Sequence, residues 1–191
     1  MRIGVLALQG DFEAHARALA GAGAQPVPVR TRRELEDTDG LVLPGGESTT
    51  MLKLLGAEDL FAPLRDYGLS RPIFGTCAGA ILLAAEVTNP PQASLGLVDI
   101  GIERNAYGRQ IESRVVSIVP EAELGGALEA VFIRAPIIRR AGPGVRILAR
   151  YLDTPVLIEQ GRHLVATFHP ELTADTRVHR YFLDRVARCH A

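Results

Sequence analysis

The sequence predicts an α/β protein whose mostly parallel sheet is flanked by helices on both faces. Short, continuous apolar runs such as residues 3–8 are typical of strands that are covered on both sides. Through the first half of the chain these runs alternate with segments of helical periodicity, which favours β-α-β connections. Turn-forming glycines stand where predicted strands give way to helices, at Gly45-Gly46 and around Cys77.

The elements of the first half follow from apolar patterns and from the residues that interrupt them. Strands are predicted at residues 3–8, 27–30, 40–43 and 72–76. Asp11 is expected to cap a helix that ends at Gly21 and Gly23, with an apolar side made of Phe12, Ala16, Leu19 and Ala20. Ser48 or Thr49 is expected to cap the next helix. Two further helices are predicted at residues 58–67 and 78–86.

The second half is richer in strand patterns. Candidate strands lie at residues 114–119, 131–135, 145–151, 155–159 and 163–168. The last two flank Gln160-Gly161-Arg162, which predicts a hairpin. A final helix over residues 175–190 places Val178, Phe182, Val186 and Cys189 on one stripe. No repeat or linker interrupts the pattern, so residues 1–191 are expected to form a single domain.

Composition excludes several classes of function. The chain has 191 residues and a formal net charge of −1, from 21 basic and 22 acidic side chains, which gives no electrostatic reason to expect nucleic acid or an anionic membrane. No segment approaches the ~20 apolar residues of a membrane span, and the first apolar run is too short for a secretory signal. Cys77 and Cys189 are expected to be unpaired thiols of a cytoplasmic protein.

One cysteine stands at a predicted strand-to-helix turn. The pattern Gly75-x-Cys77-x-Gly79 has the form of a nucleophile elbow with sulfur in place of a hydroxyl. The turn would present the thiol at the carboxyl edge of the sheet, where open α/β folds bind ligands. A free thiol is mostly protonated at neutral pH, and a helix N-terminus is too weak to change that, so a base is required. Taken alone, the pattern fits a small buried cysteine equally well.

A base and its carboxylate partner are found in the segment FHPELTAD. His169 follows a predicted strand, and Pro170 makes the chain leave it rigidly. Glu171 is close enough in sequence to bind one imidazole nitrogen, which frees the other to take the thiol proton. A lone histidine here would be read as a surface residue; together with the elbow, catalysis is favoured. His15, His163, His179 and His190 lie within predicted elements without metal-ligand spacing and receive less weight.

An acyl-transfer site also needs donors for a developing oxyanion. The stretch Pro44-Gly45-Gly46 follows a predicted strand, and its glycines would let a backbone N–H approach a substrate closely. The N–H of Gly45 or Gly46, with that of Ala78, is predicted to form the oxyanion hole. Read alone, the same stretch is only a turn signal.

These motifs together resemble the class I (triad-type) glutamine amidotransferases, which share a flavodoxin-like fold. The resemblance is closest to one branch, the glutaminase subunits of pyridoxal 5′-phosphate synthase. It is carried in order by the segments LALQGDFEAH, LVLPGGESTTM, FGTCAGAILLA, IERNAYGRQ, VFIRAP and FHPELTAD. Many other biosynthetic branches carry Gln four positions after the cysteine, where this chain has Ile81.

The resemblance implies a role for each matching residue. Cys77 would be the nucleophile, His169 the general base and then acid, and Glu171 the carboxylate that orients it. L-Glutamine would be held by Gly46, Glu47, Ser48, Arg104, Ile133 and Arg134. On chemical grounds an arginine suits the α-carboxylate of glutamine and Glu47 suits its α-ammonium. Without the resemblance, Arg104 and Arg134 would be read as solvated strand residues.

The resemblance also implies a reaction and a partner. The chain would release glutamate and ammonia from glutamine without a cofactor or metal, and would pass the ammonia to a separate (β/α)₈-barrel synthase subunit in a large hetero-oligomer. Its activity would be low until docking completes the oxyanion hole. Two alternatives stay open: a stand-alone cysteine hydrolase of γ-glutamyl substrates, and a non-catalytic glutamine-binding assembly subunit.

Overall fold

The computed structural model describes residues 1–105 and 113–189. Its strands are β1 (Arg2–Leu6), β2 (Gln25–Val29), β3 (Gly40–Leu43), β4 (Ile73–Thr76), β5 (Ala84–Thr88), β6 (Val98–Glu103), β7 (Arg114–Ile118), β8 (Leu128–Phe132), β9 (Ile137–Ala141), β10 (Arg146–Tyr151), β11 (Thr154–Gln160) and β12 (His163–Ala166). Its α-helices are α1 (Phe12–Gly21), α2 (Arg32–Glu36), α3 (Ser48–Ala57), α4 (Phe61–Ser70), α5 (Ala78–Leu83) and α6 (Arg177–Cys189).

A seven-stranded sheet in the order β10-β11-β12-β4-β3-β1-β2 forms the centre of the molecule. Strands β2, β1, β3, β4 and β12 run parallel, whereas β11 and β10 continue the sheet in antiparallel fashion. The hairpin predicted at Gln160-Gly161-Arg162 joins β11 to β12 and is confirmed. The predicted α/β class with a mostly parallel sheet is confirmed as well.

Two apolar clusters cover the two faces of this sheet. Successive residues of β3 alternate between them, because side chains of a strand point to opposite faces. Leu41 and Leu43 pack with residues of α3, α4 and α5, whereas Val42 packs with residues of α1 and α6. Both faces of the central strands are therefore buried, which accounts for their continuous apolar runs.

The sequence missed a second sheet of three strands in the order β5-β6-β9. The helix predicted over residues 78–86 ends at Leu83, and the chain continues as β5, paired in parallel with β6. Ala84, Ala85 and Glu86 are good helix formers, so strand pairing overrides their local preference. The short helix α2 and the strands β6 and β9 were not predicted either.

Several predicted boundaries and contacts were wrong. The strand expected over residues 131–135 is β8, which ends at Phe132, because Arg134 has a φ of 44° and cannot continue an extended strand. Neither Ser48 nor Thr49 caps α3; the cap is Glu47, whose carboxylate accepts the N–H groups of Thr49 and Thr50. Asp11 makes no side-chain capping bond.

The apolar sides of two helices also differ from the prediction. In α1, the buried residues are Ala14, His15 and Leu19, whereas Ala20 is exposed. Cys189, expected on the buried stripe of α6, is an exposed free thiol. The part of the IERNAYGRQ segment beyond Asn105 lies outside the described residues, as does the predicted end of the last helix at His190.

Long apolar helices are not a feature of the described chain. Within residues 1–105 and 113–189, none of the helices combines the length and the apolar character needed to cross a bilayer.

Candidate active site

Cys77 lies between β4 and α5 on a sharp turn with φ 47° and ψ −102°. The turn brings backbone segments so close that side chains are excluded beside it. A Cβ on Gly79 would lie 2.1 Å from the carbonyl oxygen of Leu43, and a Cβ on Gly75 would lie 2.6 Å from that of Gly79. Small residues are therefore required on both sides of the cysteine, as the elbow pattern suggested.

The sulfur of Cys77 faces a cavity at the carboxyl edge of the sheet. The backbone N–H of Cys77 donates to the carbonyl of Ala166 at 2.9 Å, which fixes the turn to the end of β12. The thiol lies 4.0 Å from the carbonyl oxygen of Ile133. The residue is 6% exposed, so the sulfur is reachable only through the cavity.

His169 and Glu171 form a close pair just beyond β12. The Nδ1 of His169 lies 2.7 Å from Oε1 of Glu171, and the backbone N–H of His169 donates to the carbonyl of Val131 at 2.9 Å. Pro170 begins a 3₁₀ turn over Pro170–Leu172, and this turn brings the Glu171 side chain back to Nδ1 of the imidazole ring. The Glu171 side chain is fully buried, so its carboxylate meets the ring without competition from solvent.

The surroundings of His169 favour its protonated form. Burial lowers the pKa of His169, but interaction with the Cys77 side chain and the hydrogen bond and charge interaction with Glu171 outweigh burial and raise that pKa to about 10. An ionised carboxylate can accept a hydrogen bond but cannot donate one, so the proton between Glu171 and His169 is on Nδ1 of His169. The other ring nitrogen, Nε2, is buried and has no hydrogen-bond partner among the described residues. It is free to exchange a proton with the thiol.

The glycine stretch after β3 closes around the same two side chains. A Cβ on Gly45 would lie 2.4 Å from Cε1 of His169 and 3.3 Å from Cβ of Cys77. The next residue, Gly46, has a φ of 145°, a region that favours glycine. Ala78 opens α5, so its N–H lies in the first turn of a helix beside the thiol. The three segments predicted from the sequence thus meet at one point.

A cavity of about 210 Å³ opens above the sulfur. Its lining includes Cys77, His169 and all six residues expected to hold glutamine, namely Gly46, Glu47, Ser48, Arg104, Ile133 and Arg134. Glu171 lies behind His169 and does not reach the cavity wall. The volume suits a small polar molecule such as a single amino acid.

Opposite charges are present on the cavity wall, as a zwitterionic ligand requires. Arg104 Nη2 lies 2.8 Å from the hydroxyl of Thr49 and 3.3 Å from Oε1 of Glu47. Partial burial raises the pKa of Glu47, but hydrogen bonds from Thr49 and Thr50 lower it to about 2, so the carboxylate is ionised. Arg134 is exposed in a left-handed conformation and, within the described residues, has no charged partner.

Several residues around the site were not predicted to belong to it. Ile81 and Asn105 also line the cavity. The side chain of Gln9 donates to the carbonyl of Glu47 at 3.2 Å and accepts its N–H at 3.4 Å, so it holds the glycine stretch in place. His15 lies behind Glu171, with its Nε2 3.3 Å from Oε2. Its spacing of four residues from buried Leu19 was the available signal that it faces inward.

The described residues offer no metal site. None of their His, Cys, Asp and Glu side chains form a group of three or more that could hold a metal ion. What the site brings together is a thiol, an imidazole with a carboxylate behind it, and backbone N–H groups at a helix start. That combination is suited to nucleophilic attack on a carbonyl carbon.

Comparisons with known proteins agree with this chemistry. Residues 5–188 match the model of the SNO glutamine amidotransferase family. The chain is 62% identical to pyridoxal 5′-phosphate synthase subunit PdxT of Solibacter usitatus, over 97% of this chain and 99% of that protein. It is 56% identical to the subunit of the same name from Koribacter versatilis, over 97% and 96%.

A solved structure described as a glutamine amidotransferase superimposes on this fold. Its TM-score is 0.91 at 47% sequence identity, and the match covers 97% of this chain and 98% of that one. The agreement in sequence and in fold extends over nearly the whole length of both chains. This chain belongs to the SNO glutamine amidotransferase family.

Proposed function

We propose that this chain is the glutaminase subunit of a pyridoxal 5′-phosphate synthase, and that residues 1–191 act as one glutaminase domain. It would hydrolyse L-glutamine to L-glutamate and supply the ammonia to a separate synthase subunit. One observation carries the proposal. The thiol of Cys77, the His169–Glu171 pair and the glycine stretch meet at the floor of a cavity lined by every residue expected to contact glutamine.

The first half of the reaction forms a thioester. Because the pKa of His169 is raised to about 10, Nε2 already holds the proton that has left the Cys77 thiol, and the sulfur attacks the side-chain amide carbon of glutamine. The resulting oxyanion is held by the N–H of Ala78 and that of Gly45 or Gly46. His169 then gives its proton to the leaving nitrogen, so that ammonia departs and a γ-glutamyl thioester remains on Cys77.

The second half returns the enzyme to its starting state. Nε2 of His169 takes a proton from water, whose oxygen attacks the thioester carbon. The tetrahedral intermediate collapses with release of glutamate and of the sulfur, which again lies beside the protonated His169. Glu171 keeps the proton on Nδ1 throughout, so that Nε2 is the nitrogen that exchanges protons with thiol, amide and water.

Substrate recognition rests on the two charges of the amino acid. Arg134, which has no charged partner among the described residues, would bind the α-carboxylate together with Arg104, and both line the cavity. The ionised Glu47 would bind the α-ammonium. Ser48 and the backbone of Gly46 and Ile133 complete the wall of the cavity.

The proposed partner is a (β/α)₈-barrel synthase subunit, with which several copies of this chain would form a hetero-oligomer. Ammonia would pass to it through an internal route rather than through solvent, and docking would complete the oxyanion hole. The relatives named as synthase subunits support this proposal. The mechanism needs a free thiol at Cys77, which a reducing cytoplasm maintains, and we place the protein there.

Ammonia and glutamate release from L-glutamine tests the proposal, measured with and without the synthase subunit. Hydrolysis that the partner stimulates, and that Cys77→Ala abolishes, is the expected result. Equal hydrolysis alone and in the mixture would instead favour the stand-alone γ-glutamyl hydrolase. Glutamine binding without turnover in either case would favour the non-catalytic subunit.

A further inference from the structure

A buried polar cluster lies behind the proposed catalytic pair. It consists of His15 on α1, Thr76 at the end of β4 and His179 on α6. His15 and Thr76 are both 0% exposed, as is His179. The cluster touches Glu171, the residue that orients His169 in the proposed mechanism. None of the three side chains takes part in that mechanism, so their burial needs another explanation.

His15 connects the two chain segments that carry the reaction. Its Nε2 lies 3.0 Å from the hydroxyl of Thr76, the residue before Cys77. The same nitrogen lies 3.3 Å from Oε2 of Glu171, the carboxylate oxygen that His169 does not use. Its other nitrogen, Nδ1, lies 3.1 Å from Nε2 of His179.

The contacts decide which nitrogen of each imidazole carries a proton. A carboxylate oxygen can only accept, so a proton on Nε2 of His15 is attracted to Glu171 whereas a lone pair there would be repelled. Nδ1 of His15 is then an acceptor, and Nε2–H of His179 donates to it. This leaves Nδ1 of His179 unprotonated, and that atom is buried without a partner among the described residues. A bare acceptor in that place is less costly than an unpaired N–H.

We propose that His15 is a positioning residue which, backed by His179, holds the Glu171 carboxylate against His169 and ties it to the segment of the nucleophile. The inference rests on the function proposed above. The Nε2–H of His15 points to the hydroxyl of Thr76. Oε2 of Glu171 lies 3.3 Å from the same nitrogen and, among the described residues, is buried without a hydrogen bond, so its contact with His15 is electrostatic. With one oxygen bound to His169 and the other beside His15, rotation of the carboxylate away from the ring would cost both contacts.

The electrostatic surroundings keep His15 a neutral donor. Burial lowers its pKa well below the usual value, and the nearby His179 and His169 lower it further. The groups that face the His15 ring are Thr76, Glu171 and His179, and the ring also packs edge-on against Phe74. His15 therefore stays uncharged when His169 takes up the thiol proton, and it does not compete for the charge of Glu171.

Nuclear magnetic resonance of the histidine rings tests the assignment without any substrate. Long-range ¹H–¹⁵N correlations on the ¹⁵N-labelled full chain distinguish the two neutral tautomers and the charged ring. We expect His15 and His179 both to be neutral and protonated on Nε2 at pH 7. A charged His15, or one protonated on Nδ1, would overturn the proposal.

Substitution tests the role in catalysis. His15→Leu should lower kcat for glutamine about 10-fold with KM little changed, because the buried carboxylate of Glu171 would lose the polar ring that lies beside its second oxygen. His15→Gln keeps a donor for Glu171 and an acceptor for His179, and should recover most of the loss. His163→Leu removes a buried histidine far from the pair and should leave kcat unchanged. Equal loss in the Leu and Gln variants of His15, or none in either, would contradict the proposal.

Alkylation of Cys77 by iodoacetamide separates this inference from the proposed function. With exposed Cys189 replaced by serine, the rate reports how well His169 is placed to take the thiol proton. His15→Leu should slow alkylation, and His15→Gln and His163→Leu should not. Slower alkylation in His15→Leu alone supports the positioning role even if the parent protein fails to hydrolyse glutamine. Equal rates in the parent and the three variants would refute that role.

Discussion

Two buried histidines stand at opposite ends of the same strand, β12, and behave in opposite ways. His163 begins the strand and His169 follows its end, and each is 7% exposed. Burial lowers the pKa of His163 to about 4, with help from Arg162. Burial acts in the same direction on His169, yet Cys77 and Glu171 raise the pKa of that residue to about 10.

The difference teaches that partners, not burial, decide what a buried histidine does. His163 accepts the N–H of Ile73 at 3.3 Å and serves the packing of two strands. His169 has a carboxylate on one nitrogen and a reactive thiol near the other. The carboxyl end of the strand is therefore reactive and the opposite end is structural, which is the usual division of labour in parallel sheets.

Removal of the Glu171 charge should have the largest effect on the difference in pKa between His163 and His169. In Glu171→Gln, His169 loses its ionic partner, so its pKa should fall and kcat for glutamine should drop about 10²- to 10⁴-fold. Ring titration and hydrolysis rates measure the two effects. Glu159→Gln is the control, because Glu159 is an equally buried carboxylate that pairs with Arg146 instead. An unshifted His169, or an equal loss of activity in the control, would contradict the assignment.

Movement of the His169 ring without any change of charge should have the next largest effect. A methyl group on Gly45 would lie 2.4 Å from Cε1 of His169, so Gly45→Ala must displace the ring. A displacement of this kind should lower kcat roughly 10- to 100-fold. Gly56→Ala in α3 is the matched control, since nothing lies within 4 Å of its added methyl. Steady-state kinetics of both variants measure the effect. Full activity in Gly45→Ala would show that the site tolerates a displaced ring and would contradict the prediction.

A substitution at the start of β12, where His163 lies, should change the stability of the protein and not its turnover. In His163→Leu, the N–H of Ile73 loses its acceptor within a buried strand pair. The free energy of unfolding should fall by about 1–3 kcal/mol, the usual penalty for an unsatisfied buried group. Urea unfolding measures it, and kcat should stay at the parent value. A fall in kcat with unchanged stability would reverse the roles given to the two ends of β12.

For a change of a single pH unit, the smallest effect should be seen in the pH dependence of stability. The folded-state pKa of His163 lies below its unfolded value, so its contribution is present above about pH 6.5 and is lost as pH falls toward 4. The raised pKa of His169 acts in the opposite window, since its contribution is present below about pH 6.5 and is lost as pH rises through about 10. His163→Leu should flatten the acid side by up to about 1.4 kcal/mol per pH unit and leave the alkaline side unchanged. Urea unfolding at a series of pH values tests this.

The central sheet and the turns beside it could be predicted from the sequence because each depends on a local signal. The elbow around Cys77 and the turn at Gly45-Gly46 require small residues, and the rigid exit after β12 requires Pro170. Such requirements are visible within a few positions of the chain. The strand β5 was missed because Ala84, Ala85 and Glu86 favour a helix locally and belong to a strand through pairing with β6.

Contacts between distant segments could not be predicted in the same way. His15 and His179 are 164 residues apart and were weighed as ordinary helix residues. Arg104, which follows β6, meets Glu47 and Thr49 across more than 50 residues of sequence. The exposure of Cys189 at the end of α6 likewise does not follow from helical periodicity alone.

The backbone conformation of Cys77 presents the thiol to the cavity and at the same time lowers the stability of the fold. A residue with a side chain held at φ 47° and ψ −102° stores about 1–3 kcal/mol of strain, which the surrounding packing must offset. Glycine at this position would release much of that strain, because it has no Cβ to clash. A substitution that removes the nucleophile would therefore also relieve backbone strain, so the reactive thiol is kept at a cost to stability.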